Sequence, residues 1–170
     1  MKKRFKRQPE WKKVYFKKGK NIISENYITF LKKYKSHAII KILRSDFKLI
    51  KKNMTRFTHF NAQNTIHKPG KNYLIFKIYK KGYFDGSTNK QPILYYNNFI
   101  LAKCLSSQND VDYADLKEKV FKHSLSNIRN VDSLKKAIRK RYNKTFVYLS
   151  NMKKLSLGVA ITELKIIKRF

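Results

Sequence analysis

Residues 39–50, IIKILRSDFKLI, contain the change of hydrophobic period on which the predicted fold depends. Ile40 and Ile42 flank a lysine in the alternation typical of a β-strand. Beyond Asp46 the apolar residues recur at helical spacing: Leu49, Ile50, Met54, Phe57 and Phe60. The Asp46 carboxylate is placed to accept the first backbone N–H bonds of such a helix. The sequence therefore predicts a strand-to-helix switch at Asp46, with the helix ending before Pro69.

The charge of the chain limits its partners. Its 170 residues include 41 Lys+Arg against 10 Asp+Glu, a formal net charge of +31, and 42% are hydrophobic, enough for one modest core. So much positive charge repels itself and destabilises the compact state, so we expect a polyanionic partner. Lysines occur in predicted strands, helices and loops alike, whereas a membrane-surface protein concentrates them on one amphipathic helix. Nucleic acid is therefore the expected partner, and no apolar stretch is long enough for a transmembrane helix.

Catalytic and metal-binding motifs are not expected. Cys104 is the single cysteine of the sequence, so it has no disulfide partner there and no cysteine-based zinc site is expected. Asp46 and Asp85 are isolated, and the acids between residues 110 and 118 suit helix caps better than a nuclease centre. Metal-ligand spacing is also missing among the four histidines, His37, His59, His67 and His123. We expect no enzymatic activity, no metal and no cofactor.

Residues 1–36 are predicted to be a basic, aromatic N-terminal extension. Lysines are interleaved with aromatic rings such as Phe5 and Trp11, without a clean amphipathic period. This composition favours an arm that becomes ordered on RNA, with lysines on phosphates and rings on bases. The alternative is a mitochondrial targeting peptide, although such peptides are usually Arg- and Ser-rich and amphipathic. Within the extension, ENYITFLKKY (25–34) predicts a short helix.

A basic β-hairpin is predicted at residues 72–105. Its first strand, NYLIFKIY (72–79), has high β-propensity and an alternating pattern. The segment KKGYFDGSTNKQP (80–92) contains two Gly, an Asp, an Asn and a Pro, which are typical of a hairpin tip. The stretch ILYYNNFILAKCL (93–105) is the expected returning strand.

Residues 106–143 are predicted to form a helical insertion. Asp110 or Asp112 is a candidate N-cap for a first helix, and Asp132 for a second. The apolar positions expected on the two helices are Leu116, Val120, Phe121, Leu134, Ala137 and Ile138.

The last segment, residues 144–170, is predicted to complete the domain that begins with the β-α-β-β part at 37–105. A helix capped by Thr145 or Asn143 ends at Gly158, and a final strand follows it. With the insertion set aside, the order is β-α-β-β-α-β. This order predicts an α+β fold of the ferredoxin-like, split βαβ type.

Two of these segments resemble the small-subunit ribosomal protein ten family, whose bacterial members are also the antitermination factor NusE. IKILRSDFKLI with its following helix is similar to the family's first segment, and FVYLSNMKKLSLGVAITELKI to its last. The residues that carry the resemblance are Asp46, Phe47, Lys48, Leu49 and Ile50, then Leu149, Met152, Leu155, Gly158 and Val159. The extension 1–36 and the insertion 106–143 are absent from the compact bacterial form. A divergent organellar, mitochondrial member is therefore expected.

The resemblance implies a structural constituent of the head of the small ribosomal subunit, without enzymatic activity. Its expected partners are small-subunit rRNA and neighbouring ribosomal proteins, and no homo-oligomer is expected. The hairpin tip lacks the family's Ser-Pro-His turn and its Thr-His on the returning strand. The family's contacts at the tip are therefore not transferred to this chain.

The candidate RNA-binding residues are cations of the extension, the hairpin and the strand–helix switch, with two aromatic residues at the hairpin tip. They are Lys2, Lys3, Arg4, Lys6, Arg7, Lys12, Lys13, Lys17, Lys18, Lys41, Arg44, Lys48, Lys77, Lys80, Lys81, Tyr83, Phe84 and Lys90. The cations are expected to contact phosphates. Tyr83 and Phe84 are expected to stack on unpaired bases or to pack against a neighbouring protein. An RNA-processing or intron-associated nuclease and a general nucleic-acid-binding module are the alternative functions.

Overall fold

A computed structural model describes residues 12–59, 67–84, 90–125, 128–141 and 158–170. The fold is α+β with strands predominating, which confirms the predicted class. The strands are β1 (Lys13–Lys18), β2 (Asn21–Asn26), β3 (Ala38–Ile42), β4 (Asn53–His59), β5 (Asn72–Phe84), β6 (Lys90–Tyr95), β7 (Ile100–Asp112) and β8 (Gly158–Arg169). The helices are α1 (Tyr27–Lys33), α2 (Arg44–Phe47) and α3 (Val131–Arg141), with 3-10 helices at Tyr113–Asp115 and Glu118–Phe121.

The described residues divide into two compact units. The first unit lies within Met1–Lys48, Lys71–Ala102 and Ile167–Phe170. The second unit lies within Leu49–Gly70 and Lys103–Ile166. This division crosses the segment boundaries predicted from the sequence, because each unit combines stretches that are distant along the chain.

The sheet of the first unit contains strands in the order β2-β1-β6-β5, with β3 also paired to β5. Pairing is antiparallel for β1–β2 and β5–β6, and parallel for β1–β6 and β3–β5. Helix α1 packs on one face through Phe30. The core under it is entirely apolar: Val14, Phe16, Phe30, Ile39, Leu74, Phe76, Leu94 and Phe99.

The predicted disordered extension is wrong for the residues that the structure describes. Val14 and Phe16 are completely buried in the core, and a turn at Gly19, with φ of 59°, leads β1 into β2. The predicted short helix is confirmed as α1, whose N-cap Asn26 accepts a hydrogen bond from the Thr29 backbone N–H at 3.0 Å. Lysines on the solvent side of β1 mask its alternation in the sequence, so composition alone suggested an arm.

The predicted long helix after Asp46 is also wrong. Helix α2 is four residues long, its N-cap position is Leu43, and Asp46 lies in its first turn. Residues 53–59 then form β4, antiparallel to β8. Met54 and Phe57 are on opposite faces of this strand and both are buried, so the apolar spacing imitates a helix. The β-favouring threonines of β4 and its distant partner strand outweigh that local pattern.

The ferredoxin-like order is not confirmed. Strands β3 and β5 are direct parallel neighbours, with Ile40 opposite Ile75, whereas a split βαβ unit has another strand between them. The predicted hairpin is present as β5 and β6. Its returning strand ends at Tyr95, and a turn with Asn98 at φ of 50° leads into β7. The predicted final strand is confirmed as β8, whereas the predicted helix before it lies outside the described residues.

The second unit has its own apolar core. Strands β4 and β8 pack against α3 and the second 3-10 helix through Phe57, Phe121, Leu134, Ile138, Val159 and Ile161. The predicted insertion therefore belongs to this core and is only partly helical, because β7 continues to Asp112. Asp112 caps the first 3-10 helix through the Ala114 N–H at 3.0 Å, as predicted. Asn130, and not Asp132, caps α3 by accepting from the Ser133 N–H at 2.9 Å.

Candidate nucleic-acid interface

The predicted RNA-binding cations whose side chains are described all belong to the first unit. They are Lys12, Lys13, Lys17, Lys18, Lys41, Arg44, Lys48, Lys77, Lys80 and Lys81. Lys17, Lys41 and Lys77 are half-buried, and the others are exposed. The side chains of Lys2, Lys3, Arg4, Lys6, Arg7, Tyr83, Phe84 and Lys90 lie outside the described part.

The two faces of the first-unit sheet have different chemistry. Alternation along β5 places Leu74 and Phe76 in the core under α1 and directs Lys77 to the opposite face. Parallel pairing of β1 with β6 sets Lys17 beside Tyr95, and paired residues share a face. Lysine and tyrosine side chains from three strands are therefore collected on the face opposite α1.

A β-bulge presents Tyr79 on this face. The register of β5 against β6 pairs Ile78 with Leu94 and Lys80 with Ile93, so Tyr79 is an extra residue in β5. A bulge of this kind leaves the extra residue outside the ladder and changes the direction of its side chain. The Tyr79 side chain is 42% exposed, which is unusual for so large a ring in the middle of a long strand.

A second irregularity lies between this bulge and the hairpin tip. The register pairs Lys80 with Ile93 and Tyr83 with Gln91, so two residues of β5 oppose Pro92 of β6. Proline has no N–H to donate to the ladder. Gly82, one of the two opposing residues, has φ of 71°, a conformation that glycine adopts without strain. The bend of the hairpin thus has a local cause in both strands.

The tyrosine rings and the cations on this face contact one another. Tyr79 and Tyr95 meet edge to face, with ring centroids 5.1 Å apart and planes at 77°. The Lys17 ammonium lies 5.5 Å from the Tyr79 centroid. The Lys77 ammonium lies 5.4 Å from the Tyr95 ring, and the Arg44 guanidinium carbon 5.7 Å from that ring. With Phe47 and Lys48 beside Lys77, we call this set the cation–aromatic cluster: Lys17, Arg44, Phe47, Lys48, Lys77, Tyr79 and Tyr95.

Lys77 is the electrostatic centre of the cluster. Its ammonium is 5.2 Å from the Phe47 ring, as well as facing Tyr95. Burial lowers the pKa of Lys77, and the positive charges of Arg44 and Lys48 lower it further. Each of these effects disfavours the protonated form, so charge at this point is under repulsion from its neighbours. An anion placed among the three cations would relieve that repulsion.

Cation–ring contacts on the core side have another role. Lys18 lies 5.1 Å from the Tyr96 ring and Lys33 5.4 Å from the Tyr34 ring. Tyr96 packs edge to face on Phe16 at 5.0 Å, so its ring belongs to the edge of the core. Burial, with a hydrogen bond to Tyr34, raises the pKa of Tyr96. These lysines cover the rim of the core, and Lys18 is not brought to the cluster.

Sequence reasoning found the cations of the cluster and missed its rings. Lys17, Arg44, Lys48 and Lys77 were predicted to bind RNA and are brought together, whereas Lys41 shares a face with Ile39 of the core. The rings of the cluster are Phe47, Tyr79 and Tyr95. A signal was present, because Tyr79 is two residues from Lys77 in an alternating strand. The bulge that exposes it depends on pairing with β6, which the sequence of β5 alone does not show.

Other kinds of site are not seen where the structure can be described. Within the described ranges, no group of three or more His, Cys, Asp or Glu is arranged to hold a metal ion. In the same residues, no helix has the length and apolar character to cross a membrane. Comparisons with protein-family models, curated proteins and solved structures found no match. Function is therefore inferred from the charge of the chain and from the geometry of the cluster.

Proposed function

We propose that the protein is a structural, non-enzymatic RNA-binding component of the small ribosomal subunit, with rRNA as its polyanion. The observation that carries the proposal is the cation–aromatic cluster on the face of the first-unit sheet opposite α1. Lys77 there is crowded by Arg44 and Lys48, in a chain of net charge +31. Phosphate oxygens would compensate this charge, and a folded RNA supplies many of them together.

The rings of the cluster favour RNA over other polyanions. Anionic lipid headgroups would neutralise the lysines but offer no flat ring to stack on Tyr79. RNA with loops and bulges offers unpaired bases, which stack on aromatic side chains beside the phosphate contacts. The combination of exposed Tyr79 with Lys17 and Lys77 therefore suits RNA best.

The ribosomal assignment is the finer part of the proposal. It is supported by the resemblance of residues 39–50 and of the segment ending in β8 to a small-subunit protein family. Neighbouring ribosomal proteins would be the second class of partner, and the mitochondrion the proposed compartment. The departure of residues 53–59 from the helix expected of that family limits the resemblance to short segments.

Sedimentation of the tagged protein in cell extracts tests this function. We expect the protein to travel with the small ribosomal subunit and to be released by ribonuclease. A variant with Arg44→Gln and Lys77→Gln should partly redistribute to the top of the gradient. Lys33→Gln with Lys168→Gln removes two cations held over the rings of Tyr34 and Phe170, and this matched control should stay with the small subunit. Recovery free of ribosomal particles, or with the large subunit only, contradicts the proposal, as does metal-dependent RNA cleavage that is lost in Asp46→Asn.

A further inference from the structure

Tyr79 has a ring surface that the fold does not use. It lies on the sheet face opposite the core, and it is 42% exposed because the bulge lifts it out of the ladder. Among the described residues, its ring contacts are the edge-to-face pair with Tyr95 and the ammonium of Lys17 at 5.5 Å. An edge-to-face pair leaves part of each ring open. The flexible stem of Lys17 allows the ammonium to move aside for a flat ligand.

Tyr95 is covered on its ring by cations and is not available in the same way. Lys77 and Arg44 lie 5.4 and 5.7 Å from its centroid. Its role is to position them, because cation–ring attraction restrains two otherwise mobile side chains. The cluster therefore has room for one stacked ring, on Tyr79, beside a restrained pair of cations.

The charged side of the cluster suits a phosphate group. Arg44 is the last-turn cation of α2, Lys48 follows that helix directly, and Lys77 is held over Phe47 at 5.2 Å. A guanidinium next to ammonium groups matches the oxygens of a phosphate diester.

A ring that can stack on a base, next to cations that can hold a phosphate, suits a nucleotide whose base is unpaired. In a duplex both faces of a base are covered by its neighbours, and double-stranded RNA is recognised mostly by shape and backbone. We infer that the cation–aromatic cluster binds a single unpaired RNA nucleotide, with its base stacked on Tyr79 and its phosphate held by Arg44, Lys48 and Lys77. The inference rests on the proposed RNA-binding function and specifies which RNA conformation this face recognises.

The test compares two RNAs with equal numbers of phosphates, a stem with an unpaired loop and a blunt duplex, by fluorescence anisotropy. Tyr79→Leu keeps an apolar side chain but removes the ring, and Tyr79→Phe keeps the ring. We expect Tyr79→Leu to weaken loop binding about 5- to 150-fold, the range for loss of one stacked base, and to leave duplex binding unchanged. Tyr79→Phe should bind the loop within about twofold of wild type, since stacking uses the ring and not the hydroxyl.

The outcomes separate this inference from the proposed function. If the wild type binds loop and duplex equally and Tyr79→Leu changes neither affinity, the stacking inference is overturned and the RNA-binding function stands. Equal weakening of both RNAs by Tyr79→Leu also overturns it, because a fold defect or a charge effect would explain that result. If the wild type binds neither RNA, the proposed function fails together with the inference. Far-UV circular dichroism and a denaturation midpoint confirm that each variant is folded.

Discussion

The two faces of the first-unit sheet use aromatic residues in opposite ways. On the face under α1, rings meet rings: Phe76 stacks on Phe99 at 4.5 Å, and Phe16 contacts Phe30 at 4.9 Å. On the other face, rings meet cations, and Tyr79 and Tyr95 lie beside Lys17, Lys77 and Arg44. Phe76 and Lys77 are neighbours in β5, yet Phe76 belongs to the core and Lys77 to the cation–aromatic cluster.

Stability and binding therefore depend on different residues of this unit. The core face buries Phe16 and Phe76 completely and gains apolar transfer energy. The cluster face brings like charges together, which costs stability in the free protein and is compensated only when an anion is present. Substitution of the core-face rings should therefore unfold the protein, and substitution of the cluster residues should change binding.

The largest effect is expected for Phe76→Ala in the core face. Phe76 is fully buried and contacts Phe16, Phe30 and Phe99. Removing such a ring from a packed core costs about 3–5 kcal/mol in the free energy of unfolding. Chemical denaturation monitored by circular dichroism measures this, with Tyr79→Leu as a control expected to change stability by less than about 1 kcal/mol. Equal destabilisation by the two variants would show that the faces are not separable.

The next effect concerns the salt dependence of RNA binding. Each phosphate contact to single-stranded RNA contributes about 0.7 to the slope of log affinity against log salt. Arg44→Gln with Lys77→Gln should therefore reduce the magnitude of that slope by about 1.4. Lys33→Gln with Lys168→Gln removes the same charge from sites over Tyr34 and Phe170. If this control changes the slope by the same amount, RNA binding depends on the total charge of the protein and not on the cluster.

A smaller effect on stability is expected for Phe170→Ala. Phe170 stacks on Phe99 at 4.6 Å and meets Tyr34 edge to face at 5.2 Å, but its side chain is 38% exposed. Aromatic pairs of this kind contribute about 0.5–1.5 kcal/mol beyond area burial. A decrease of that size in the free energy of unfolding, with unchanged RNA affinity, is the expected result. Loss of RNA binding without loss of stability would place Phe170 in the interface instead.

The smallest effect is on the pH dependence of stability, which Lys77 should make rise with pH. The pKa of Lys77 is lowered in the folded protein from its ordinary value of 10.5, by burial and then by Arg44 and Lys48. The unfolded state therefore binds more protons between the folded pKa and 10.5, so this lysine makes stability rise with pH across that window. Lys77→Met should remove that rise and slightly stabilise the free protein, while weakening RNA binding. Denaturation midpoints of the wild type and of Lys77→Met at pH 7 and 10.5 measure this dependence. If Lys77→Met is less stable than the wild type, the charge of Lys77 does not destabilise the free protein.

The elements that depend on interactions between residues close in the sequence were predicted correctly. The short helix α1, the hairpin of β5 and β6 and the final strand follow from capping, turn residues and alternation. The strand β4 does not, because its identity comes from pairing with β8, more than one hundred residues away. Met54 and Phe57 are buried on both sides of β4 and give a pattern that a helix would share.

The sequence predicted the charged residues of the candidate site but not how they are arranged. Runs of lysine in an alternating strand mark a basic face wherever that strand is placed. The contact of Lys77 with Phe47 and Tyr95 depends on the return of the chain through α2 and β6, and the exposure of Tyr79 depends on the bulge. Both are properties of pairing between strands, so only the folded structure displays them.

The cation–aromatic cluster of the first unit is proposed to lie on small-subunit rRNA. Ultraviolet crosslinking of the tagged protein in cells, followed by mass spectrometry of nucleotide-bearing peptides, tests it most directly. We expect crosslinks at Tyr79, with the attached RNA derived from the small subunit. Crosslinks confined to the second unit, or attached RNA of another origin, would contradict it.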